Sequence, residues 1–135
     1  MTVETTLTDL KGMFKIKITG VASAANGGIG EVINPEGARL VITRTYLDAR
    51  VGSTGAGNLD VGVGVTGAKA TDILSAFDMI EATIGGKVFY GQAVPANETQ
   101  EAVIWEIGEY ITFTGSASSV GLDADLYVEY IRLDD

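Results

Sequence analysis

Leu122-Asp123-Ala124-Asp125-Leu126-Tyr127-Val128-Glu129-Tyr130 alternates along its length: Leu122, Ala124, Leu126, Val128 and Tyr130 share one parity, opposite Asp123, Asp125 and Glu129. Successive side chains of a strand point to opposite faces, so this is a strand with one buried and one wet face. The pattern recurs twice. Over residues 13–19, Phe14, Ile16 and Ile18 oppose Lys15, Lys17 and Thr19. Over 58–65, Leu59, Val61, Val63 and Val65 oppose Asn58, Asp60, Gly62 and Gly64. Parallel sheets covered on both faces produce continuous apolar runs instead, so these strands belong to antiparallel sheets.

Five further strands surround these three. Residues 29–34 form a short one, stopped by Pro35-Glu36-Gly37, where Pro presets φ and Gly relieves the next position. Residues 39–51 form a long one that changes phase, because Leu40 and Ile42 share one parity and Leu47, Ala49 and Val51 the other; a bulge near Arg44 is expected. Residues 87–94, closed by Pro95, then 102–105 and 109–114 complete the set, the last two separated at Ile107-Gly108. Gly-rich turns such as residues 52–57 (GSTGAG) connect them. Residues 71–80 (TDILSAFDMI) alone have a helical look, and suit an irregular crossover equally. About eight strands with at most one short helix predict an all-β, antiparallel β-sandwich, for which a jelly roll fits the strand count best. With no linker in sight, the chain reads as an N-terminal arm over 1–12 and a single domain over 13–135.

Composition removes whole classes of chemistry. The 135 residues include no Cys and no His, hence no thiol nucleophile, disulfide, Cys/His metal site or imidazole base. Nine Lys and Arg against 18 Asp and Glu give a net charge of −9, which argues against non-specific nucleic-acid binding. The opening residues lack the basic and apolar segments of a secretory signal, and nothing approaches the roughly 18 apolar residues that cross a bilayer. A soluble protein with no membrane partner is expected. Charge is uneven: residues 1–69 hold seven basic and six acidic residues, whereas 70–135 hold two and twelve. Lys15, Lys17, Arg39, Arg44 and Arg50 are therefore candidate contacts for a partner or subunit, unless they are scattered over every face of the fold.

The remaining motifs are weak. Gly62-Val63-Gly64-Val65-Thr66-Gly67 matches the dinucleotide pattern GxGxxG, yet its glycines alternate with valines inside a strand, which predicts close approach of another segment. Asp123 and Asp125 lie about 7 Å apart on one strand face, where they could serve a calcium site or glycoside chemistry; a solvated strand face explains them better. Trp105, Tyr110 and Phe113 could line a sugar platform, but at strand parity they read as core. Ser116, Ser118 and Ser119 have no base nearby, and Asn97-Glu98-Thr99 is a three-residue sequon match only. No catalytic, cofactor or metal residues are assigned, and no enzyme is expected.

Three stretches carry a resemblance. Asn34-Pro35-Glu36-Gly37 followed by Leu40-Val41-Ile42-Thr43-Arg44 and Tyr46-Leu47-Asp48, then Leu59-Asp60-Val61-Gly62-Val63, and finally Gly108-Glu109-Tyr110-Ile111-Thr112 with residues 121–131 resemble small jelly-roll structural proteins of tailed bacteriophage virions. The likeness spans roughly residues 29–133 and leaves the arm outside. It implies a capsid decoration (auxiliary head) protein, made in the host cytoplasm and placed on the outer capsid surface. Its implied partner is the major capsid protein of the shell, and its implied assembly is a homo-oligomer, trimer before dimer. The alternative is a tail, fibre or host-surface module that binds carbohydrate through exposed aromatics; burial of Trp105 or Tyr90 would count against it.

Overall fold

A computed structural model describes residues 10–91 and 101–133. The described chain is an antiparallel β-sandwich of jelly-roll type, with nine strands and one helical turn. The first sheet holds β1 (Lys11–Thr19), β9 (Asp123–Leu133), β3 (Arg39–Val51) and β6 (Lys87–Gly91) in that order, and β7 (Val103–Trp105) pairs with the Leu40–Ile42 stretch of β3, on the same edge as β6. The second runs β2 (Gly30–Ile33), β8 (Tyr110–Gly115), β4 (Asn58–Gly64) and β5 (Leu74–Asp78). The helical turn, α1 (Glu81–Ile84), follows β5 and buries Ile84. Among the described residues no helix is long and apolar enough to cross a membrane.

Alternation builds the core as expected. Leu122, Ala124, Leu126, Val128 and Tyr130 are all buried, and face Leu59, Val61, Ile111 and Phe113 of the second sheet. Trp105 is fully buried, donates its indole N–H to the Glu109 carbonyl at 2.9 Å, and meets Phe14 edge-on. The phase change in β3 is a bulge: its register against β9 slips between Ile42 and Arg44. That extra residue keeps Leu40, Ile42, Leu47 and Ala49 all pointing inward. The turn after β2 is organised by buried Asn34, whose amide donates to the Ala38 and Trp105 carbonyls at 2.8 and 2.9 Å and whose oxygen accepts from the Glu36 N–H.

Residues 71–80, which suited a helix or an irregular crossover equally, form a strand, β5, followed by α1. Its register explains the helical look. Leu59 faces Phe77 and Val61 faces Leu74, so two steps along β4 match three along β5. A bulge at Ala76, whose φ is +49°, spaces the inward residues by three and imitates helical periodicity. Asp60 holds the bulge by accepting the Ala76 N–H at 2.7 Å. β5 also raises the strand count from eight to nine. The strand expected over 87–94 is described as far as Gly91; its remainder, Pro95 and the sequon at Asn97 lie outside the described residues, as does most of the arm.

The outward glycines of β4 do meet another segment. The loop 65–73 folds back over the outer side of the second sheet, so that a Cβ at Gly62 would stand 2.7 Å from the backbone of Ala70 and Thr71. Asp72 accepts the Val63 N–H, Lys69 lies 3.7 Å from Asp60, and Glu31 accepts from the Thr66 hydroxyl and the Gly67 N–H. The Val63 N–H is thus already engaged, and a loop and strand β5, not a helix, follow the glycines. The outer face of the first sheet has no such loop over it among the described residues.

Candidate functional site

The five basic residues singled out from sequence lie on one face. Lys15 and Lys17 project from β1, and Arg39, Arg44 and Arg50 from β3, all at the parity opposite to the core side chains. With Lys11, this outer face of the first sheet carries six of the nine Lys and Arg against five carboxylates, Asp48, Asp123, Asp125, Glu129 and, at the Arg39 end, Glu106. In a chain of net charge −9 it is locally positive.

Register orders the face into rows. Lys11, Ile131, Val41 and Ile104 form one, crossing β1, β9, β3 and β7. Lys15, Tyr127, Tyr46 and Tyr90 form another, crossing β1, β9, β3 and β6. Between them lie Met13, Glu129 and Arg44, and beyond the tyrosines lie Lys17, Asp125, Asp48 and Val88. Met13, Val88 and Tyr90 are exposed large side chains, Tyr90 at 79%. The face is therefore a mosaic of cations, carboxylates and apolar groups around a central line of phenols.

Most of the charge is internally organised. Arg50 donates to both Asp123 and Asp125, so its guanidinium fills the place a bound cation would take between the two carboxylates. These acids are not a simple wet face: the Asp125 side chain is 8% exposed. Hydrogen bonding from Arg50 holds the Asp123 carboxyl below the usual range, and Asp123 and Asp125 in turn raise Arg50. Glu129 is held low first by the Thr43 hydroxyl at 2.8 Å, against partial desolvation, and then by Lys11 and Arg44. Arg44 also donates to the Tyr46 hydroxyl at 3.1 Å, the main cause of its raised pKa. Arg39 stands at the far end, 3.8 Å from Glu106. Lys15 and Lys17 are exposed and form no ion pair with any described residue.

Other candidates resolve differently. Trp105 and Phe113 are core, and Tyr110 is half-buried, so the three do not make a sugar platform. Ser119 bonds both N–H and carbonyl of Val21, and Ser116 accepts from the Asn58 N–H. Among the described residues no three Asp or Glu side chains cluster as metal ligands would. Tyr90 was read from sequence, with Trp105, as an aromatic that a carbohydrate-binding module would expose; Tyr90 is exposed and Trp105 is buried. Tyr46 and Tyr127 were not singled out from sequence. Their outward parity was readable beside Arg44, Asp48, Asp125 and Glu129, but their alignment depends on strand register, which no local pattern encodes.

No family model and no curated protein matches the sequence. In fold the chain is similar, at 17% sequence identity and a TM-score of 0.60, to a chain of the solved structure described as "Capsid of Ralstonia phage GP4", over 100% of this chain and 92% of that one.

Proposed function

We propose that this protein is a non-enzymatic structural component of a phage virion, specifically a capsid decoration protein that cements the outer surface of the head shell. The observation that carries the reading is the likeness in fold, end to end, to a chain from a phage capsid. The unequal faces of the sandwich favour docking as its mode of action. One sheet is covered by its own loop, while the other offers a positive, tyrosine-bearing surface. Seated across neighbouring copies of the major capsid protein, such a module adds contacts that exist only in the assembled shell. It thereby stabilises that state by mass action. Self-association as a closed ring, a trimer before a dimer, would multiply the contacts per particle.

The test is heat release of packaged DNA from shells carrying the protein and from shells stripped of it. Decorated shells are expected to release at a higher temperature. Equal release temperatures at saturating protein would reject cementing.

A further inference from the structure

We infer that the row Tyr127–Tyr46–Tyr90, flanked by Lys15 and Arg44, is the anchor by which this face grips an acidic protein surface; the inference rests on the docking role proposed above. Strand register sets the three phenols side by side across β9, β3 and β6, and Tyr46 and Tyr90 pack with ring centroids 5.2 Å apart. Tyrosine presents a large rigid surface with few rotatable bonds and a hydroxyl at its tip. Tyr and Arg accordingly dominate the energetic centres of protein interfaces. Tyr90 leaves 79% of its surface open although its neighbour Phe89 packs on the core. The row occupies the middle of the sheet, with Val88 and Met13 exposed around it, an arrangement that excludes water from a central contact once covered.

Charge selects the occupant. Lys15 continues the row onto β1 and Lys17 stands one row beyond, both without an ion pair among the described residues. Arg44 is tied to the row through the Tyr46 hydroxyl. A partner surface rich in carboxylates satisfies these cations and steers approach to this side of an otherwise acidic molecule. A second copy offering the same face would oppose like charges, so the face does not pair with itself; the occupant assigned to it is a carboxylate-bearing surface of the shell protein in the docking role proposed above.

The test is co-sedimentation with shells stripped of the protein, using wild type, Tyr90→Ala and Lys15→Glu, with Val65→Ser on the opposite loop as control. Tyr90 and Lys15 are exposed, so thermal melts should overlay and report intact folding. Each face variant is expected to bind about tenfold more weakly or worse. Wild-type binding should fall as salt rises, and Val65→Ser should match wild type. Undiminished binding by both face variants would overturn the inference while leaving cementing intact. Failure of the wild type to bind shells would overturn the docking role and the inference together. Dimerisation of the free protein that both substitutions abolish would assign the face to a second copy and also overturn it.

Discussion

Asn34 offers the sharpest test of how the sandwich end is held. Its amide donates to the carbonyls of Ala38 and Trp105, and its oxygen accepts the Glu36 N–H, at 2.8, 2.9 and 2.9 Å. Asn34→Ala strands the buried Trp105 carbonyl, at a cost of about 1–3 kcal/mol, and removes two partly buried bonds worth about 0.5–1.5 kcal/mol each. A loss of about 3 kcal/mol is expected, which lowers Tm by about 10 °C for a domain of this size. The chain's one tryptophan, Trp105, is itself buried beside the turn, so urea unfolding followed by its fluorescence reads the change directly. Asn34→Asp sharpens the argument. An ionised carboxyl there would face two carbonyls, so its folded pKa rises above the unfolded value. Relative to wild type, the variant is therefore penalised least at low pH, and the loss grows as pH rises through the folded pKa. A loss below 1 kcal/mol for Asn34→Ala, or an Asn34→Asp variant with the pH profile of wild type, would refute this account.

Two further outcomes follow from the geometry. The folded pKa values of Asp123 and Glu129 lie below their ordinary values of 3.8 and 4.5, so their contribution is complete above those values and is lost as pH falls through the lowered ones. Tm should drop on acidification below about pH 4.5, and Arg50→Gln should return the Asp123 carboxyl toward its ordinary value in an NMR titration; an unmoved value would sink the clamp. Gly62→Ala places a methyl 2.7 Å from the Ala70 and Thr71 backbone, should cost about 1–3 kcal/mol by overpacking, and should speed proteolysis within the loop 65–73; a wild-type urea midpoint would show that the loop does not pack there.

Legibility from sequence tracked how local each signal was. β1, β4 and β9 were readable because an apolar/polar parity is written in consecutive residues, and the bulge near Arg44 because it flips that parity. β5 was not: its own bulge at Ala76 spaces Leu74 and Phe77 by three, a helix-like interval that only the pairing with Leu59 and Val61 explains. Asp125 shows the same limit at the candidate site. Its parity predicted an outward carboxylate, and it does point outward, but the arrival of Arg50 from β3 covers it.

The amino-acid order by itself settled the class of the molecule: strands wet on one side, turns rich in Gly, and neither thiol nor imidazole for chemistry. Strand pairing, which joins residues dozens of positions apart, decided the rest. It gathered Lys15, Lys17, Arg39, Arg44 and Arg50 on one sheet, aligned Tyr127, Tyr46 and Tyr90 into a row, and spread the loop 65–73 over the other sheet. Parity names the face a side chain takes, but only the register between distant strands determines which side chains stand beside it.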